Sequence, residues 1–427
     1  MINSSLRPCV FALNTHMKIL LLTQWFQPEP FFKGLPFAKA LKDRGHDVEV
    51  LTGFPNYPGG KLYLGYSVRL WQRELTDGIR VNRVALYPSH DRSGLKRMAN
   101  YLSFGACAAL LGPLLVNKPD VIYVYNLVTL GPAAYLLRFF YGCPIVYDIQ
   151  DIWPDSVVNS GMMHGSFILK MMERGCGFLY SLATRIVVLS TGFKKKLASQ
   201  GIPSDRITVI YNWCDEDAIG NAPSKSLEDV NNRFKIVFAG TMGKVQALDA
   251  VLEAAELILN DYSGIQFIFV GGGVEVKHLK QKVSDKGLSN VTFLSQRPMA
   301  EIGSILQLAD VLLVHLKDDP LFSITIPSKT QAYMAVGKPI LIGVRGDAAD
   351  LVREAKAGVC CQPENPRSIA DAVIYLYEMP SDQLKTMGKN ARDFYESRLS
   401  QRAGVDAFER VFKEILNVEF RVDETII

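Results

Sequence analysis

Short apolar runs rich in β-branched residues alternate along the chain with stretches of helical period. In the first half, "KILLLT" (18–23), "DVEVLT" (47–52), "IRVNRVAL" (79–86), "DVIYVY" (120–125), "PIVYDI" (144–149), "RIVVLS" (185–190) and "ITVIY" (207–211) read as strands. In the second half "FKIVFAG" (234–240), "IQFIFVGGG" (265–273), "NVTFL" (290–294), "DVLLVHL" (310–316) and "PILIGV" (339–344) do the same. Strands that alternate with helices imply βαβ units and parallel sheets. The pattern predicts two doubly wound α/β domains, 17–211 and 234–395. Residues 212–233, polar and turn-rich, are the predicted linker, and a C-terminal helix in 396–427 has length to return to the first domain. Ligands of such sheets bind beyond the carboxyl ends of the strands, so the expected seat of chemistry is a cleft between the two domains.

One segment departs from the pattern. Residues 98–116, "MANYLSFGACAALLGPLLV", are free of charge and about long enough to span a bilayer. Asn100, Ser103, Gly112 and Pro113 interrupt the run, and a core strand follows at once. A buried helix is the first reading, and a helix lying on a membrane surface, flanked by Arg92, Lys96, Arg97 and Lys118, is the second.

Composition adds bounds. At 427 residues the chain exceeds what one core supports. A net charge of +4 suits an anionic substrate or membrane surface but not a nucleic-acid partner. Seven scattered cysteines without CxxC pairs point to a reducing compartment and no structural disulfides. The first sixteen residues hold too short an apolar run for a signal peptide. The histidines lack ligand spacing, and "DED" at 215–217 falls in the linker, so no metal is expected.

The candidate chemistry begins at "TIPSKTQAYMAVGKPIL" (325–341). Pro327 suits a first helical turn, Ser328 a cap, and Gly337 a helix end. Lys329 is the anomaly, since a cation at a helix N-terminus opposes the dipole. A bound diphosphate resolves it: first-turn N–H groups, the Ser328 hydroxyl and the Lys329 ammonium converge on one anion. The alternative is a lysine pointing into water. Gly240 and Gly243 with Lys244, and Gly271, Gly272 and Gly273, occupy two further strand-to-helix turns where backbone amides can approach a phosphate. Such turns also serve only to pack strand on helix. On the other half, "YDIQDIWPDS" sets Gln150, Asp151 and Asp155 at a strand end. Asp151 either orients or deprotonates an acceptor hydroxyl, or it caps the next helix.

Together "PSKTQAYMAVGKP", "VFAGTMG", "VGGG", "NVTFLSQRP", "GHDVEVLTGFPNYPGGKLYLGY" and "DIWPDS" resemble the family 4 retaining glycosyltransferases of the GT-B fold. The subgroup looks like that building bacterial O-antigen, capsule or colanic-acid-type polysaccharides, including N-acetylfucosamine transferases. The resemblance implies a nucleotide-sugar donor on the C-terminal domain and an acceptor on the N-terminal one. By it Pro327, Ser328, Lys329, Gly240, Thr241, Lys244 and Gly272 hold or line the donor, and the turn at Arg297 meets the base. Gly34 approaches the donor's sugar and phosphate. Glu29, Lys33 and Asp155 are assigned to the acceptor, and Asp151 with Gln150, where many members carry histidine, to catalysis. The family's paired glutamates fall at Ile324 and Ala332, a departure.

The resemblance implies a cofactor-free transferase, and segment 98–116 with its flanking charges places it, as an expectation, at the inner face of the cytoplasmic membrane. It passes a sugar, expected to be uridine-linked, to a polyprenyl-linked glycan, with peripheral membrane contact through the N-terminal domain. A nucleotide-sugar epimerase of similar architecture, or a non-catalytic sugar-nucleotide binder, are the competing readings.

Overall fold

The computed structural model describes residues 16–89, 93–153, 166–220 and 233–423. The chain forms two compact units, one running to Val187 and resuming at Glu409, the other spanning Val188–Phe408. The predicted boundary at 211 thus moves to 187. Ser190 Oγ donates to the Ile324 carbonyl (2.5 Å) and the Gly192 N–H to the Asp347 carboxylate (2.6 Å), which binds this stretch into the second unit. Nor are residues 212–219 a free linker. Glu216 accepts from the Tyr395 hydroxyl (2.8 Å) and the Gln401 N–H (2.7 Å). The remainder of that segment, 221–232, lies outside the described residues.

The strands are β1 (Lys18–Leu22), β2 (Asp47–Gly53), β3 (Trp71–Thr76), β4 (Ile79–Val84), β5 (Val121–Tyr125), β6 (Ile145–Ile149), β7 (Arg185–Val188), β8 (Ile207–Val209), β9 (Phe234–Ala239), β10 (Ile265–Val270), β11 (Val291–Leu294), β12 (Val311–His315), β13 (Ile340–Gly343) and β14 (Gly358–Cys360). Eight form a sheet in the order β3-β4-β2-β1-β5-β6-β7-β8, and six a second sheet in the order β11-β10-β9-β12-β13-β14. Strands β5 and β6 are buried at every position, as parallel strands covered on both faces must be, which is why they read as unbroken apolar runs. The sequence pattern did not show β3, an edge strand antiparallel to β4 with half-exposed residues. In each sheet the strand order reverses at one point, between β1 and β5 and between β9 and β12. A crevice opens beyond the carboxyl ends of the strands at such a point.

The helices of the first unit include α1 (Leu35–Asp43), α2 (Gly94–Leu115), α3 (Gly131–Tyr141) and α4 (Ser166–Ser181). In the second come α5 (Thr191–Ser199), α6 (Glu216–Gly220), α7 (Leu248–Leu257), α8 (Val276–Lys286), α9 (Met299–Gln307), α10 (Pro320–Ser323), α11 (Ser328–Val336), α12 (Asp347–Glu354), α13 (Pro366–Glu378) and α14 (Ser381–Phe394). The last helix, α15 (Gln401–Asp423), begins in the second unit, and its later part packs in the first, with Phe412 edge-on to Tyr123 (6.4 Å) and Glu409 beside Arg44 (3.5 Å).

Helix α2 is neither fully buried nor free. Tyr101, Phe104, Gly105, Ala108 and Gly112 turn inward, and a Cβ on Gly105 would stand 2.4 Å from the Thr129 carbonyl oxygen, so only glycine allows this approach. Its other face presents Leu95, Leu102, Leu110 and Leu114 to solvent. By length and composition it is apolar enough to cross a membrane.

Candidate active site

In the second unit, the turns after β9 and β10 are locked together through glycine. Gly240, Gly271 and Gly273 have φ of +132°, +135° and +148°, a region that favours glycine. A Cβ at Gly271 would meet the Gly240 oxygen at 2.2 Å, and one at Gly273 the Met242 oxygen at 2.2 Å. The Met242 N–H donates to the Gly272 carbonyl (2.8 Å) and the Glu275 N–H to the Met242 carbonyl (3.1 Å). Close backbone contacts therefore shape this rim, and Thr241 and Lys244 stand exposed on it.

Helix α11 begins against the same rim. Pro327, expected in the first turn, occupies the cap instead, and Ser328 is the first helical residue, exposed and capping nothing. The first N–H groups of a helix have no partner within it, so this end is electropositive. Lys329 folds back: its Nζ lies 3.6 Å from the centroid of the Phe238 ring, and its Cε fills the space a Cβ on Gly240 would need, at 2.5 Å. The ring attracts the charged form, but burial opposes it and prevails, pushing the ammonium down to about 7. Among the described residues no carboxylate pairs with it.

Two residues that the motifs did not single out fix this geometry. The Tyr333 hydroxyl accepts from the Ala239 N–H (2.9 Å) and reaches the Ala239 carbonyl (3.3 Å), clamping α11 to the end of β9. His315, buried at the end of β12, donates from Nδ1 to the Gln246 carbonyl (2.8 Å) and accepts at Nε2 from the Glu364 N–H (3.2 Å). Burial pushes its imidazole down, so it stays neutral and pins the turn that carries Lys244. Only its place as the polar end of an apolar strand could have signalled it.

Arg297 is exposed, 4.0 Å from Glu301 one turn on, and Gly272 faces the Gln296 side chain of the same loop. The positions of the family's glutamates hold Ile324 and Ala332. Ala332 is half-buried, and the Ile324 side chain packs on Gly192.

In the first unit the structure corrects two assignments. Lys33, expected at the acceptor, has no exposed side-chain surface and donates to Asp148 at 2.7 Å. Burial pushes its ammonium down and Asp148 opposes the shift. The same carboxylate accepts from the Tyr123 hydroxyl (2.6 Å) and the Gln150 amide (2.5 Å). Glu29 is enclosed too, accepting N–H groups of Phe26 (3.0 Å), Asn56 (2.9 Å) and Tyr57 (2.8 Å), and burial pushes its carboxyl up to about 7 against those bonds. Both residues brace loops and cannot reach a ligand. Gly34 caps α1, with its N–H on the Phe31 carbonyl (3.1 Å). Asp155 lies outside the described residues.

Asp151 is exposed, beyond the end of β6. Asn126, with φ +62° at the end of β5, holds it: the Asn126 amide donates to the Asp151 carboxylate (3.0 Å) and its oxygen accepts the Asp151 N–H (3.1 Å). Gln150, tied to Asp148, sits alongside. Around them lies an aromatic cluster in which Trp25 stacks on Phe31 (5.0 Å) and meets Tyr57 (5.8 Å) and Tyr101 (6.2 Å), while Tyr101 meets Trp153 (6.3 Å).

Comparison with known proteins bears on the family and the fold. Residues 35–213 match the glycosyl transferase 4-like domain and residues 222–394 the glycosyl transferases group 1. The putative colanic acid biosynthesis glycosyl transferase WcaI of Escherichia coli strain K12 is 24% identical over 394 residues, 88% of this chain and 92% of the relative. The probable glycosyltransferase WbjE of Pseudomonas aeruginosa is 24% identical over 290 residues, 66% and 71% of the two chains. Anabaena HepE, solved in complex with UDP, shares the fold with a TM-score of 0.64 at 19% identity, over 94% of this chain and 100% of that one. The two Rossmann-like units, the glycine-built rim against α11, and the ordered pair of domain matches place the chain among the GT-B glycosyltransferases of the family 4 type.

Proposed function

We propose that this glycosyltransferase moves a sugar, with retention, from a UDP-linked donor to a glycan built on a polyprenyl carrier during synthesis of a bacterial surface polysaccharide. The observation that carries the donor half is Lys329: an ammonium partly withdrawn from water, without a counter-ion among the described residues, laid over Gly240 where α11 begins. Such a charge is costly until an anion arrives. Lys329, the Ser328 hydroxyl and first-turn N–H groups would grip the diphosphate, Lys244 would add charge from the rim, and the Arg297 loop would meet the base. No metal or other cofactor enters.

In the reaction the bond from the sugar's anomeric carbon to the diphosphate breaks and a bond to the acceptor oxygen forms on the same face. The acceptor's proton passes to the leaving diphosphate, whose growing charge the lysines and helix end stabilise. Asp151, fixed by Asn126, orients the acceptor hydroxyl. The exposed leucines of α2 and the basic residues near it would rest on the anionic inner face of the cytoplasmic membrane. WcaI and WbjE, by their names a putative colanic acid enzyme and a probable glycosyltransferase, support the polysaccharide setting, and HepE, solved with UDP, supports the nucleotide.

A thermal-shift screen of nucleotide sugars tests the donor. A ligand at a hundred times its dissociation constant stabilises by about 2.7 kcal/mol. Stabilisation by UDP-sugars is expected. A protein that none of them stabilises would refute the reading.

A further inference from the structure

The first unit holds polar groups that neither packing nor the steps above employ. Arg97 lies on the inward face of α2, one turn before Tyr101 and in line with Phe104 and Ala108. It is half-buried, its Nε is enclosed without a hydrogen-bond partner, and among the described residues no carboxylate pairs with it. Tyr101 and Tyr125 are only 8% and 6% exposed, and neither hydroxyl has a partner among the described residues. Burial pushes both phenols up, the Asp151 charge adds to it in each, and Arg97 opposes it at Tyr101. Ring contacts set these groups side by side: Trp25 meets Tyr101 (6.2 Å) and stacks on Phe31 (5.0 Å), Phe31 meets Tyr125 edge-on (6.2 Å), and Tyr101 meets Trp153 (6.3 Å), two residues beyond Asp151, which Asn126 at the end of β5 holds (3.0 Å).

Arg97 and Asp151 carry opposite charges at this rim and do not pair. A lone phosphate would suit Arg97 and be repelled by Asp151. A neutral sugar would suit Asp151 and the phenols and leave Arg97 unpaired. A ligand with an anionic end and a hydroxyl-bearing end satisfies all of them.

We propose that Arg97, Tyr101 and Tyr125 form, with Asp151, a binding site for a sugar joined through phosphate to a lipid, the guanidinium taking the phosphate and the phenols and carboxylate the sugar hydroxyls. This rests on the transferase reading above and assigns residues to the acceptor in place of Glu29 and Lys33. The apolar tail is left for the surface that bears Leu95 and Leu102, on the outer face of the same helix.

The test uses the full chain and four probes: undecyl diphosphate bearing N-acetylglucosamine, the same glycoside without phosphate, undecyl diphosphate without sugar, and inorganic diphosphate. Quenching of tryptophan fluorescence reads binding, since Trp25 and Trp153 flank Tyr101. The sugar-bearing diphosphate is expected to bind tightest. Arg97→Gln should weaken it about tenfold or more and leave the phosphate-free glycoside unchanged, as loss of a charge-assisted bond predicts. Tyr101→Phe and Tyr125→Phe should each weaken both sugar-bearing probes about two- to tenfold. Arg97→Gln removes an unpaired charge, so its melting temperature should not fall, which separates lost binding from lost folding. Equal affinity for the glycoside with and without phosphate, inorganic diphosphate binding as tightly as the glycolipid, or no binding at all would overturn the proposal. Stabilisation by the UDP-sugar panel, measured alongside, keeps the two readings apart: its absence with every member refutes the donor site, whereas its presence with a failed probe series refutes only this one.

Discussion

Replacing Lys329 with methionine separates a ligand-binding lysine from a structural one. Methionine keeps most of the stem that lies over Phe238 and Gly240 and removes the charge. In the free protein the Lys329 ammonium titrates at about 7 because burial disfavours its charged form. Its folded value lies below its unfolded value, so the charge destabilises the folded chain below about pH 7, and the penalty fades as pH rises toward the ordinary lysine range. Lys329→Met should therefore melt higher than the wild type at pH 6. Donor binding should move the other way: losing a charge-assisted contact to diphosphate costs about 1.5–3 kcal/mol, roughly ten- to a hundredfold in affinity. Binding must also recharge the lysine, so wild-type affinity for UDP-glucose, whose diphosphate does not titrate near neutrality, should fall about tenfold between pH 6 and pH 8. The variant should lose this dependence. Calorimetric titration in buffers of different ionisation heat reads both the affinity and the proton taken up. A variant that melts lower, binds UDP-glucose as well as the wild type, or keeps the pH slope would refute the reasoning.

Further predictions follow from distances already given. Asp148→Asn leaves Lys33 buried without a counter-charge and should cost about 3–5 kcal/mol in urea unfolding, much of it recovered in Lys33→Met/Asp148→Asn; an additive double variant would contradict this. Asp151→Asn should lower transfer about a hundredfold or more while UDP-glucose affinity is unchanged, checked by steady-state rates and titration on one preparation. Gly240→Ala sets a Cβ 2.5 Å from the Lys329 stem at a φ of +132°, so donor affinity should drop about tenfold, read by calorimetry. Unaltered affinity would mean that Lys329 is not held there.

The two parallel sheets were legible because strands buried on both faces must be apolar throughout, and β5 and β6 have no exposed position to break the run. The edge strand β3 was not, because its half-exposed residues carry only weak alternation. At the candidate site, the lysine after Ser328 announced itself by opposing a helix dipole, and the glycine turns by their spacing. Lys33 and Asp148 pair across 115 residues, a distance over which local pattern carries no information. The same limit hid Tyr333, which reads as one more apolar position of α11 until its hydroxyl is seen at Ala239. Arg97 read as a flanking charge of an apolar segment, since only the helical phase observed for α2 turns it inward.

The glycine turns after β9 and β10 bear on how such an enzyme diverges. With backbone oxygens 2.2 Å from where side chains at Gly271 and Gly273 would begin, these positions have no freedom to drift. A lineage changing what it binds has to do so on surfaces outside these two turns. Attempts to retune this enzyme should leave the glycines alone.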